Sequence, residues 1–341
     1  MGLVPKRVLW RALLVGFLLT TRHALAQALE CSAAICVGNP CYVSGTHLLP
    51  DGCDLDFGTK TVTVTGKLMS ALTDGGSFSV EAGSLSVYGT LQALGGEIDV
   101  YTTGDFATQS SSGFVGVLDV HQGGFLYVEA GGNVNLYGSD VSADGNTNQF
   151  GGDILIFGAN INVGSTTPVH ATGGGGGDGG TVTLIADNNA NIAGLVSVVG
   201  VGGGASGGLI DIEGGNNGTV TISKTLDAST SSTGSFDGEI DVGPACSLVI
   251  SGTVRARTSQ ISSTGTGINF LTYSGSLNVT GSSLLADTDA QGGTLILCRC
   301  IDTNNDGVCD RGCVQAPTGL SSATQKPTVA TLPIPAPACG P

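Results

Sequence analysis

Gly95-Gly96-Glu97-Ile98-Asp99-Val100 is followed by Gly123-Gly124-Phe125-Leu126-Tyr127-Val128, Gly151-Gly152-Asp153-Ile154-Leu155-Ile156, Gly179-Gly180-Thr181-Val182-Thr183-Leu184 and Gly207-Gly208-Leu209-Ile210-Asp211-Ile212, each pair 28 residues after the last. A fixed period of this size is the mark of a stacked repeat, in which each unit buries its apolar face against its neighbours. After each Gly-Gly the apolar residues alternate, so Ile98/Val100, Leu126/Val128, Ile154/Ile156, Val182/Leu184 and Ile210/Ile212 point to one side of a strand. A second strand in the unit carries Val134/Leu136, Ile161/Val163 or Val220/Ile222, and Val141, Val169 and Leu226 mark a shorter third. Three short strands per unit joined by corners describe one coil of an all-β, single-stranded parallel β-helix. The paired turn signals of hairpin blades are missing.

Outward from this core the alternation begins at Val62/Val64 and continues, more loosely spaced, through Ile240/Val242, Ile268/Phe270 and Leu295/Leu297. Residues 58–297 are therefore assigned to the repeats. Counting from Val62 gives about nine coils, a rod on the order of 40 Å long at about 4.8 Å per stacked strand. Parallel strand connections favour right-handed coiling. The composition agrees: 57 of 341 residues are glycine, 11% are charged and mean hydropathy is +0.28, which excludes a collagen and a charge-rich disordered chain.

Residues 1–26 read as a secretory signal peptide: Lys6, Arg7 and Arg11 precede an apolar run from Ala12 to Leu19, and Ala24-Leu25-Ala26 offers a cleavage site. The run is too short to span a membrane, so no span is expected in the mature chain. Cleavage leaves eight basic residues against 27 acids, a formal net charge of −19. Such a surface excludes nucleic acid as a partner, because phosphates demand a basic patch. The ten cysteines point to an oxidising compartment. Cys31, Cys36, Cys41 and Cys53 define an N-terminal cap over 27–57; Cys298, Cys300, Cys309 and Cys313 define a second over 298–314. Spacing alone leaves their pairing open.

The residue before the second strand is Asn133, Asn160 and Asn191 in successive units. Their amides either ladder along one corner or merely tolerate a left-handed backbone there. Glycine runs at 173–177 and 202–204 mark long corners; no Lys-Ser/Thr follows and no helix opens, so they are not phosphate-cradling loops. Outward residues can be compared at equal offsets, and Asp211 and Asp241 fall in stacking register. Like charges so placed repel unless a cation or solvent intervenes.

Beyond the coils, Asp302-Thr303-Asn304-Asn305-Asp306-Gly307-Val308-Cys309-Asp310 places oxygen donors at positions 1, 3, 5 and 9 of a loop with glycine at 6. Asp302, Asn304, Asp306, the Val308 carbonyl and Asp310 would bind calcium. The loop resembles the calcium repeats of thrombospondin type 3 and, more distantly, dockerin loops; Cys313 stands where an EF-hand has its bidentate Glu. Calcium and disulfides together would lock the C-terminal cap. Residues 315–341, rich in Pro, Ser, Thr and Ala, read as a disordered tail.

A carbohydrate-cleaving site needs clustered carboxylates with a base or cation. The resemblance to pectin-cleaving enzymes stops at the coil: the sequence has no Asp-Asp dyad, Gly-His-Gly or Arg-x-Lys in strand context. His47, His121 and His170 stand apart and read as corner or surface residues. Arg255 and Arg257, paired on one outward strand face, are the best enzymatic lead, and an enzyme would use the outward face around Asp211, Asp241, Arg255 and Arg257. The pattern Gly-Gly-x-Ile-x-Val with a Gly-x-Leu-x-Ala corner, as in Gly89-Thr90-Leu91-Gln92-Ala93, resembles the haemagglutinin-type β-helices of bacterial filamentous adhesins. That resemblance, over about residues 59–297, implies a secreted or surface-attached bacterial protein with a structural or adhesive role. The expected function is non-catalytic, with polysaccharide or another surface protein as partner and a polysaccharide lyase or hydrolase as the alternative.

Overall fold

The computed structural model describes residues 31–111, 114–230, 238–256, 268–272, 277–278, 283–285, 294–299 and 313–317. The leader, the calcium residues Asp302, Asn304, Asp306, Val308 and Asp310, Arg257 and residues 318–341 lie outside them.

Three sheets of 10, 10 and 11 strands run the length of the molecule. The chain visits the first, second and third sheet in turn, as in Val134–Leu136, Asp140–Ser142 and Asp153–Gly158, and then starts the next coil at Ile161–Val163. Ten coils stack this way and every coil-to-coil pairing is parallel. The nine coils counted from Val62 are present. One more lies beneath them, formed by Cys41–Val43, Thr46–Leu49 and Cys53–Asp56 within the N-terminal cysteine cluster. At the far end, Cys313–Pro317 pairs antiparallel with Thr294–Arg299 and closes that edge of the third sheet.

The alternation decides the core. Ile98, Leu126, Ile154, Val182, Ile210 and Ile240 fall in register in the third sheet and are each fully buried. Burying an aliphatic side chain of this size stabilises by about 1.5–3 kcal/mol, so each coil gains mainly by covering its neighbour.

The Gly-Gly pairs have a steric cause. The second glycine of each pair lies against the carbonyl of its counterpart one coil earlier. A Cβ on Gly152 would sit 1.9 Å from the Gly124 oxygen, and one on Gly180 would sit 1.9 Å from the Gly152 oxygen. The same carbonyls accept the bonds that open the next strand, Asp153 N–H to Gly124 at 3.0 Å and Thr181 N–H to Gly152 at 3.0 Å. Glycine lets the backbones meet at this corner.

At the corner between the third and first sheets, an amide ladder forms. Asn160 Nδ2 donates to Asn133 Oδ1 at 2.8 Å and Asn189 Nδ2 to Asn160 Oδ1 at 3.1 Å. Asp105 extends it below, accepting from Asn133 N–H at 2.7 Å, and Thr219 N–H donates to Asn189 above at 2.9 Å. The third member is Asn189 and not Asn191. Asn191 lies inside strand Ala190–Ile192, in register with Asn162, and it is Asn189 that directly precedes this strand.

The N-terminal cap is covalent: Cys31 bonds Cys53 and Cys36 bonds Cys41, while Ala33 and Ile35 pack on the open end of the core. Cys246 is also disulfide-bonded. Among the described residues no helix is long and apolar enough to cross a membrane.

Candidate functional site

The outward face of the third sheet differs from the other two. Its eight strands from Cys53–Asp56 to Glu239–Ala245 carry eleven Asp and Glu residues and no Lys or Arg. Between these carboxylates stand aromatic rings. Tyr101 and Tyr127 have centroids 5.5 Å apart, Tyr127 and Phe157 are 5.6 Å apart, and Phe125 stacks beside Tyr127 at 6.5 Å. Tyr101, Tyr127 and Phe157 come from three successive coils, Tyr127 one column to the side of the other two, and line a groove of about 670 Å³ with Asp56, Glu81 and Glu129 on its rim.

The groove is electrostatically one-sided. Burial and the hydrogen bond to Glu129 Oε2, 2.9 Å away, push the Tyr127 hydroxyl up to about 12. Burial raises Tyr101 too, and Asp99, Glu129, Glu97 and Glu81 all add to the effect. Burial and the neighbouring Glu97 hold Asp99 above the usual carboxylate range. Further along the sheet Asp211 and Asp241 stack in register, as their spacing predicts. Burial first, then the charges of Glu213 and Asp241, raise Asp211 to about 6.

The proposed company of these aspartates does not assemble. Arg255 lies in the second sheet, where its guanidinium donates to Asp227 Oδ2 at 2.6 Å. Asp211 and Asp241 belong to the third sheet. The two groups therefore face different sides of the rod.

A second cluster was not legible from spacing. In the second sheet, Gln92, Asp119, Ser142 and His170 form one column of successive coils. His121 Nδ1 contacts Asp119 Oδ1, and Ser142 Oγ lies 3.2 Å from His121 Nε2 and 3.4 Å from His170 Nδ1. His170 is clamped by two carboxylates, Nε2 on Asp140 and Nδ1 on Asp144, each at 2.8 Å. Burial alone would lower His170, but the hydrogen bonds and charges of Asp140 and Asp144 raise it to about 9. Asp119 raises His121 against its own burial, and Asp119 and Asp144 are held below the usual range by the two rings despite burial.

The order Asp119–His121–Ser142 is that of a nucleophile-activating triad. Ser142, however, is 1% exposed, so no substrate reaches its hydroxyl. With both ring nitrogens of His170 donating to carboxylates, the ring offers no lone pair to a metal. Among the described residues no group of three or more His, Cys, Asp or Glu side chains is arranged to hold a metal ion. The cluster fastens three coils at one corner. His47 stands apart from it, donating to the Ser44 carbonyl at 2.8 Å.

No protein-family model, no curated protein and no solved structure matches this chain.

Proposed function

We propose that the protein is a secreted or cell-surface β-helix that binds an extended polysaccharide on the outward face of its third sheet and does not cleave it. The aromatic–carboxylate groove carries this reading. Rings spaced coil by coil offer flat apolar surfaces to the C–H faces of consecutive sugars, while the rim carboxylates accept hydroxyl hydrogen bonds. Absence of turnover is argued from Arg255 lying in the second sheet while Asp211 and Asp241 lie in the third, so the carboxylate–cation set that cleavage needs does not come together there. Export is supported by the leader in the sequence and by the disulfides Cys31–Cys53 and Cys36–Cys41, which belong to an oxidising compartment. The adhesin-like repeat supports a structural or adhesive role.

The test incubates the mature chain with a panel of polysaccharides, scoring retention and new reducing ends together. Retention without new ends, lost in Tyr101→Ala/Tyr127→Ala, is expected; new reducing or unsaturated ends would favour the lyase or hydrolase alternative. The same reading places structural calcium on Asp302, Asn304, Asp306, Val308 and Asp310, from donor spacing alone. Scanning calorimetry with and without EDTA tests that part. Chelation lowers Tm in the parent and has no effect in Asp306→Ala if it is right.

A further inference from the structure

We infer that the polysaccharide held by this groove is a cationic amino-glycan, a β-1,4-linked polymer of amino sugars running parallel to the rod axis. The inference rests on the reading of the groove as a polysaccharide site. Direction comes from the register. Glu81, Tyr101, Glu129, Phe157 and Ile185 occupy one column, each hydrogen-bonded in register with the next. A ligand following them travels along the axis and advances one strand spacing, about 4.8 Å, per coil. That advance is close to the rise of one residue in an extended β-1,4-linked glycan. From Asp56 to Ile185 the groove crosses six coils, enough for roughly five sugar steps.

From Glu81 onward the column alternates carboxylate, aromatic, carboxylate, aromatic, and Asp56 adds a second carboxylate at its lower end. Successive residues of an extended β-1,4 chain are turned over relative to one another, so a substituent on the same carbon returns to the same side every second residue. An amine at that position would meet Glu81 and then Glu129, while Tyr101 and Phe157 meet the intervening rings. An ammonium beside these aromatic faces gains a further electrostatic attraction.

Charge decides against the other glycan classes. An acidic polysaccharide would lie against eight strands, Cys53–Asp56 to Glu239–Ala245, that carry eleven carboxylates and no Lys or Arg; Lys60, at the corner next to the lining residue Thr59, is the nearest basic residue in sequence. A neutral glycan would cover Glu81 and Glu129, which are exposed to water in the free protein, without supplying a countercharge, which is unfavourable for an ionised carboxylate. The raised Asp99 and Tyr101 are consistent with a face lacking its countercharge.

Titration calorimetry of the mature chain at about pH 5.5, where amines and most carboxylates are charged, compares three probes: a β-1,4-glucosamine hexamer, its fully N-acetylated counterpart and cellohexaose. The glucosamine hexamer is expected to bind at least about tenfold more tightly than either neutral probe, and the gap to close in Glu81→Gln/Glu129→Gln, whose exposed positions leave the fold intact. Raising the salt concentration closes the gap in the parent. Equal binding of all three hexamers overturns the inference and leaves the polysaccharide reading standing. A lysine-rich peptide binding as tightly as the glucosamine hexamer shows that charge alone is recognised and overturns it as well. No binding to any sugar, with circular dichroism unchanged, overturns both.

Discussion

Replacing His170 with glutamine removes the cation between Asp140 and Asp144 while keeping a polar side chain of similar length. In the folded chain His170 holds its proton up to about pH 9, against an ordinary value of 6.5. A difference of that size corresponds to about 3 kcal/mol of folding free energy. The sign follows from the direction. Because the folded value is raised, the stabilisation is fully present below pH 6.5 and is lost as pH rises through 9. The groups that face the ring are Asp140, Asp144, Ser142 and, across Ser142, the Asp119–His121 pair. Urea unfolding of parent and His170→Gln at about pH 6 and about pH 10 reads the effect as a difference of differences. The variant is less stable at the lower pH by about 3 kcal/mol and the gap shrinks at the higher pH. A gap of equal size at both would refute the clamp, since a purely steric role for the ring does not titrate.

Asp211→Asn acts in the opposite sense. Its carboxyl is raised from an ordinary 3.8 to about 6, so stability is lost as pH rises from 3.8 through 6; the variant is more stable than the parent at neutral pH, by on the order of 1–2 kcal/mol, and equal to it below about pH 3, as read from urea midpoints. Gly180→Ala places a methyl 1.9 Å from the Gly152 carbonyl and forces two coils apart, costing on the order of 3 kcal/mol in thermal or urea unfolding. Gly175→Ala meets nothing within 4 Å and changes stability by less than about 0.5 kcal/mol. Equal losses in the two glycine variants would remove the steric account of the repeat.

The coil was legible because one constraint repeats. Each inward pair, from Ile98/Val100 to Ile210/Ile212, must be apolar in every unit, and each Gly-Gly must admit a backbone, so period and alternation survive in the sequence. Outward positions carry no such rule. Comparing them at the Glu97 and Asp99 offsets stops one position short of the column holding Tyr101, Glu129 and Phe157, which is where the groove lies. Extending the comparison by two residues would have found it. The histidine cluster is harder. His121 sits past the end of its strand, while Ser142 and His170 share one register position on successive strands. Spacing alone shows His170 following Ser142 by one period, and nothing marks His121 as its neighbour. The Asn189 ladder was misplaced because small Ala190 stands where Val134 and Ile161 open their strands, so that Asn191, ahead of Ile192, reads as the residue before the strand.

Carboxyl and tyrosine footprinting by mass spectrometry, with and without a β-1,4-glucosamine hexamer, tests most directly where this rod meets its ligand. Protection at Tyr101, Tyr127, Glu81 and Glu129, with Asp140 on the second sheet labelled as before, is the result expected of a polysaccharide lying along the third sheet. Protection centred on Asp140 and Asp144, or none on the third sheet under conditions where the hexamer binds, would contradict it.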